Sequence, residues 1–231
     1  MPGPGHIFYA GTTSKREQIL YSGVMLIENE YFMIGYDIGA CYNKRNIAEE
    51  EEPCVQYISD YESPLGKILL AADETGLAGV WFEGQKYFGR CLEAEREERE
   101  IPVLIQTKRW LDRYFSGKRP EISIPFHFVG TAFQKEVWEI LCTIPYGQTM
   151  TYGEIAQLLA KRRGIDHMSA QAVGGAVGHN EISILVPCHR VVGTGGSLTG
   201  YAGGIDRKVQ LLTLEGVNMD SLFVPEKGTA R

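Results

Sequence analysis

The chain has 231 residues, 44% of them hydrophobic and 23% charged, which fits a globular protein with a buried core and excludes disorder throughout. No apolar run reaches the roughly 18 residues that a membrane helix needs, and a net charge of −6 means that any DNA contact has to come from a local surface. The five cysteines, Cys41, Cys54, Cys91, Cys142 and Cys188, are odd in number and widely spaced without a C-x-x-C pair, which argues against a disulfide framework and a compact zinc cage alike.

Residues 1–54 open on Gly and Pro, with no basic segment leading into an apolar one, so export is not expected. Reduced thiols then place the chain in the cytoplasm, with no membrane partner. An alternating apolar piece over 25–36 is followed by Glu49-Glu50-Glu51-Glu52 and Pro53. No chemistry shows there, and 1–54 reads as an accessory N-terminal extension. From Tyr57 the pattern turns strand-like. Residues 67–72 and 77–82 flank Asp73-Glu74-Thr75-Gly76, a β-hairpin signal. Leu104, Lys108, Leu111 and Phe115 follow at helical spacing, although Lys108 breaks the apolar stripe, and Gly117 supplies a stop. Residues 120–125 read as a connector, so a small antiparallel-sheet-plus-helix domain is expected over 55–127.

The next stretch, 128–220, reads as a mainly helical domain, which makes the fold class α/β (α+β). Phe133, Val137, Ile140 and Leu141 lie on one helical face that ends before Pro145 and Gly147. Thr151 caps a second helix through Ile155, Ala156, Leu158 and Leu159, and Glu154 completes a capping box. After Lys161-Arg162-Arg163-Gly164 comes a short helix over 169–177 that is rich in small residues: Ala170, Ala172, Gly174, Gly175 and Ala176. Helix, turn and small-residue helix outline a helix-turn-helix. Small residues serve close helix packing or close approach to a nucleic-acid backbone, and the basic run is either a solvated loop or a phosphate contact. Residues 221–231 read as a tail.

The densest signal is Ile184-Leu185-Val186-Pro187-Cys188-His189-Arg190-Val191. A strand-like apolar run delivers a thiol followed at once by an imidazole and a guanidinium. A free cysteine, with a pKa near ~8.5, is only a few per cent thiolate at neutral pH. A neighbouring histidine can take its proton, directly or through a water, and Arg190 adds positive potential.

This segment resembles the active-site motif of the O6-alkylguanine-DNA alkyltransferases, the methylated-DNA–protein-cysteine methyltransferases. Their Pro-Cys-His-Arg core stands unbroken at Pro187 to Arg190. The resemblance extends upstream through Ala172-Val173-Gly174-Gly175-Ala176-Val177-Gly178-His179-Asn180. Downstream it takes in Gly200-Tyr201-Ala202-Gly203-Gly204 and Leu214-Glu215-Gly216, and in all it covers roughly 57–217. It implies direct reversal of O6-alkylguanine, and of O4-alkylthymine, by one irreversible transfer to Cys188. His189 is then the histidine that activates Cys188 through a bound water, and Glu215 the carboxylate that orients it. Asn180 holds the turn ahead of the cysteine, and the Tyr152 hydroxyl approaches N3 of the extruded guanine. The Val191 carbonyl meets the base's exocyclic amine, while Tyr201, Ala202 and Gly203 lie in the loop that closes the pocket.

The implied partner is alkylated double-stranded DNA bound by a monomer through its minor groove. Ala170, Gln171 and Gly174 are the close contacts, with Lys161, Arg162, Arg163 and Arg190 on the DNA. Two positions depart from the family pattern. Gln171 stands where many members carry an arginine that fills the gap left by the base, and Ala202 stands where a pocket serine is common, a change that opens the pocket to larger alkyl groups. His6, His127, His167 and His179 show no ligand spacing, so no metal and no cofactor are expected. Three other readings compete: a lesion-binding module without chemistry, a cysteine hydrolase, and a helix-turn-helix transcription factor.

Overall fold

The computed structural model describes residues 24–27, 30–33 and 55–226. The chain divides into two units, Met1–Glu50 and Glu51–Arg231. In the first, β1 (Val24–Ile27) pairs antiparallel with β2 (Glu30–Met33), Val24 opposite Met33. The remainder of the expected 1–54 extension, and the tail from 227 on, lie outside the described residues.

In the second unit, β3 (Gln56–Ser63), β4 (Gly66–Ala72) and β5 (Leu77–Phe82) run antiparallel, and β6 (Arg96–Glu98) joins β3 in parallel, giving the order β5-β4-β3-β6. The β4–β5 turn forms because Asp73 Oδ1 accepts the amides of Thr75 and Gly76, at 2.8 and 3.1 Å. Gly76 has φ +155°, and a Cβ there would sit 2.5 Å from the Pro125 carbonyl oxygen, so only glycine fits. Strand β6 is fully exposed and charged. Such residues protect a sheet edge and carry no apolar alternation, which is why this acidic stretch gave no strand signal. Strand β5 is buried along its whole length. Its free edge is taken by the later chain: Val80 N donates to the Glu181 carbonyl at 2.8 Å, and Ser183 N to the Val80 carbonyl at 3.0 Å. That join fastens the segment just ahead of Cys188 to the sheet.

Helix α1 (Pro102–Phe115) buries Leu104, Thr107, Trp110, Leu111 and Tyr114. Lys108 stands beside that face, where its ammonium reaches Ser59 Oγ at 2.6 Å and pairs with Glu100. Helix α2 (Ala132–Leu141) and helix α3 (Tyr152–Arg163) start on capping boxes, Thr131 with Gln134 and Thr151 with Glu154, and each N-cap is worth about 1 kcal/mol. Ahead of α3, β7 (Met150–Thr151) pairs in parallel with β8 (Val191–Val192), so the start of α3 is tied to the chain just after Cys188. Helix α4 (Ala170–Gly178) begins at Ser169, whose hydroxyl accepts from Ala172 N at 3.3 Å. Helix α5 (Ile205–Leu214) closes the array. One hydrophobic core joins Ile68, Val80 and Phe82 of the sheet to Leu111, Trp138, Ile155, Val173 and Leu211 of the five helices. No helix among the described residues is long and apolar enough to cross a membrane.

The strand-like run at 184–187 is a correction. These residues form an irregular buried loop in which Ile184 has φ +71°. They are apolar because the core surrounds them, not because they are extended, and the left-handed region is unfavourable for a β-branched residue.

Candidate active site

The loop that carries the thiol is built around one amide. Asn180 Oδ1 accepts from Ile182 N at 3.0 Å, and its Nδ2 donates to the Ile182 and Val186 carbonyls at 3.2 and 2.9 Å. The same Nδ2 reaches Cys188 Sγ at 3.0 Å. Cys188 opens a single turn of 3-10 helix, Cys188–Arg190, and is 5% exposed. Burial pushes its thiol pKa up, against the Asn180 hydrogen bond and the Lys208 charge, so the resting sulfur is protonated.

His189 is wholly buried, and its Nε2 lies 2.8 Å from Glu215 Oε1. Burial pulls the imidazole pKa down, against the pull of Glu215 in the other direction. The ring is therefore neutral, with its proton on Nε2 toward the carboxylate and a lone pair on Nδ1. Nδ1 is buried and has no partner among the described residues, and no hydrogen bond joins His189 directly to Cys188. A buried lone pair without a partner is costly unless it has work to do.

Glu215 caps α5 and gathers five donors. Oε1 accepts from Tyr114 Oη at 2.7 Å, from His189 and from Arg190 Nη2 at 3.0 Å, while Oε2 accepts from Arg190 Nε at 2.8 Å and Gly147 N at 3.1 Å. Burial works to raise its pKa, but His189 and Arg190 hold it well below the usual carboxylate range. Arg190 is a second correction. Expected on the DNA, it turns inward, with its third contact a 2.6 Å bond to the Ile144 carbonyl. A guanidinium with all three nitrogens bonded to Glu215 and Ile144, and its side chain only 11% exposed, is turned away from any phosphate on the surface.

The opposite wall comes from α3 and the loop after β8. The Tyr152 hydroxyl donates to the Thr199 carbonyl at 3.2 Å, and burial and then Cys188 push its pKa up to about 12, so it remains a donor. The loop passes so close that a Cβ at Gly200 would sit 2.5 Å from that hydroxyl. The Tyr201 ring meets the His189 ring edge-on with centroids 6.4 Å apart, and Gly203 packs on the Tyr201 ring. The Ala202 carbonyl accepts from Lys86 N at 3.0 Å. Val191 offers its carbonyl to Lys208 Nζ at 2.5 Å, and the same ammonium reaches the Thr199 carbonyl at 2.8 Å. Lys208 is wholly buried, and burial pulls its pKa down to about 8 while Cys188 acts the other way. Nothing in the sequence pattern singled it out, nor Tyr114. The only available signal was a lysine on the apolar face of α5.

Helix α4 turns Ala170, Gln171 and Gly175 to solvent, with Gly174 half-buried. A Cβ on Gly175 would meet nothing within 4 Å among the described residues, so packing within them does not account for that glycine. Of the basic run, Arg163 is bound to Glu136 by two 2.9 Å bonds, which brace α3 against α2, and Arg162 lies 3.9 Å from Glu139. Lys161 is exposed and forms no ion pair among the described residues.

Comparison with known proteins adds independent findings. The family model described as 6-O-methylguanine DNA methyltransferase, DNA binding domain, matches residues 132–217, and the one described as the ribonuclease-like domain of the same protein matches 57–128. A methylated-DNA–protein-cysteine methyltransferase of Methanosarcina acetivorans is 44% identical over 160 residues, covering 69% of this chain and 98% of that one. One from Mycobacterium bovis is 51% identical over 154 residues, covering 67% and 88%. Among solved structures, Mycobacterium tuberculosis OGT in complex with DNA matches with a TM-score of 0.57 at 39% identity, over 70% of this chain and 92% of that one.

Proposed function

The chain belongs to the family of methylated-DNA–protein-cysteine methyltransferases, and from that premise we propose that it repairs alkylated DNA by moving the alkyl group from O6 of guanine to Cys188. The observation that carries this is the buried pairing of a thiol held by Asn180 with a neutral imidazole whose free Nδ1 is set by Glu215.

The chemistry follows from the resting charges. A water between Cys188 and His189 Nδ1 passes the thiol proton to the imidazole, and ionised Glu215 stabilises the cation that results. The thiolate forms at the cost of burial, and the Asn180 amide and Lys208 ammonium offset part of that cost. Sulfur attacks the alkyl carbon in line, an S–C bond forms, the C–O6 bond breaks, and the electron pair leaves with the purine. The Tyr152 hydroxyl, kept protonated, faces N3 and stabilises the charge on the departing base. The product is a thioether with no leaving group to expel, so each molecule reacts once. The same geometry suits O4-alkylthymine.

The target atom lies inside the base stack, so the nucleotide has to be swung out at a cost of roughly a few kcal/mol. Exposed Ala170, Gln171 and Gly175 let α4 approach the minor groove closely. The protein acts as a monomer without a metal or cofactor, and its widely spaced thiols suit the reducing cytoplasm. The extension 1–54 is accessory to a sheet domain at 55–127 and a helical domain at 128–220. The test is intact mass after incubation with an oligonucleotide bearing one O6-methylguanine. Alkyl transfer adds one methylene, once per molecule. A lesion-binding module or a transcription factor gains nothing, and a hydrolase turns over without gain.

A further inference from the structure

Between α4 and the loop at 199–204 lies a cleft of about 800 Å³, bordered by Gly174 and Gly175 on one side and by Tyr201 and Ala202 on the other. Its outer wall comes from the turn after β5, a segment that the mechanism above does not use. There the Tyr87 ring stacks on His179 with centroids 4.1 Å apart and planes at 26°, and Lys86 Nζ stands 5.1 Å from the Tyr87 centroid. His179 is itself locked, its Nδ1 2.7 Å from the Gly175 carbonyl.

This arrangement is held against a cost. Tyr87 has φ +61°, a left-handed conformation that is unfavourable for a residue other than glycine and persists only where its surroundings impose it. The surroundings here are specific to the site. Lys86 N is bonded to the Ala202 carbonyl, and the buried Gln85 side chain accepts from Phe82 N at 2.9 Å and from Ser183 Oγ at 3.3 Å. The turn is thus fastened to the pocket loop and to the segment ahead of Cys188.

Three other cations of the site are already held by acceptors of the protein. Arg190 is spent on Glu215 and Ile144, and Lys208 on two carbonyls. Arg207 gives its three nitrogens to the carbonyls of Leu65, Gly203 and Glu83, at 3.1, 3.1 and 3.2 Å. Lys86 is exposed, lines the cleft and forms no ion pair among the described residues, although Asp206 borders the same cleft. A nucleotide swung into the cleft brings its phosphate with it, and an ammonium at the mouth is the complementary group.

We infer that the Lys86–Tyr87–His179 stack is a phosphate-holding arm of the nucleotide cleft, in which Lys86 pairs with the phosphate of the extruded nucleotide and the Tyr87–His179 stack holds it there. This rests on the alkyl-transfer reading and assigns substrate binding to a turn in the first half of the described fold. The test compares wild type, Lys86→Gln and Lys86→Arg on a duplex with one O6-methylguanine and on free O6-benzylguanine, which has no phosphate. Lys86→Gln should flatten the log–log salt dependence of duplex binding by about 0.9, the value for one lost phosphate contact. It should also slow transfer from the duplex more than transfer from O6-benzylguanine, and Lys86→Arg should restore the slope. An unchanged slope, or an equal fall on both substrates, overturns the inference. Failure of the wild-type chain to take an alkyl group from either substrate overturns the alkyl-transfer reading, and this inference with it.

Discussion

His189 has one nitrogen committed to Glu215 and no water-exposed surface, so the folded protein resists protonating it. Its folded pKa lies below the ordinary 6.5. As pH falls through that ordinary value the unfolded chain binds a proton that the folded chain does not, and stability drops. The carboxyl of Glu215 is depressed in the fold, so its contribution stays intact over this window and is lost only in stronger acid. Urea unfolding at pH 7.5 and 5.5 should therefore show wild type losing stability on acidification, by at most about 1.4 kcal/mol per pH unit from this group. His189→Gln should lose less over the same interval, and equal losses would show that His189 does not titrate as described. At this scale, the Cys188-His189 pair could be named from the residues themselves, and Asn180, Glu215 and Tyr152 through the resemblance of their motifs to the alkyltransferase family. Lys208, Tyr114 and the inward Arg190 could not. Their partners lie 17, 101 and 25 positions away, and a lone lysine or arginine looks the same in a sequence whether it faces water or a buried carboxylate.

Helices α1 to α3 were legible because each joins helical spacing to a local signal, Gly117 after α1, Pro145 and Gly147 after α2 and the box at Thr151 for α3, while α4 was legible from its run of small residues after a turn. Strand β6 and the buried loop at 184–187 were not, since one is a charged edge without alternation and the other is apolar without being extended. On α4, Gln171 is exposed beside Ala170 and Gly175. In the DNA contact proposed above, an amide there hydrogen-bonds the orphaned base but brings no charge to the groove. Gln171→Arg should tighten duplex binding and steepen its salt dependence by about one unit of log–log slope. Gln171→Ala should lower the ratio of single-turnover rates on duplex and single-stranded lesions, because a single strand leaves no gap to fill. An unchanged ratio would make Gln171 a spectator.

On the scale of the whole molecule, the DNA contact proposed for this chain of net charge −6 is a small neutral helix face rather than a basic surface. Much of its positive charge is spent internally, as with Arg163 on Glu136 and Arg190 on Glu215. The family matches span 57–128 and 132–217, and the core named above draws on both stretches. A chain beginning at Pro53 is expected to stay soluble and to transfer alkyl groups at close to the full-length rate. Insolubility or a lost rate would make residues 1–52 part of the working protein. The most direct measurement is peptide mapping by mass spectrometry after single-turnover reaction with an O6-methylguanine duplex. One methyl group should appear on the peptide holding Cys188, at no more than one per molecule, and Cys188→Ala should carry none. A methyl group on Cys91 or Cys142, or release of methyl with repeated turnover, would contradict the account.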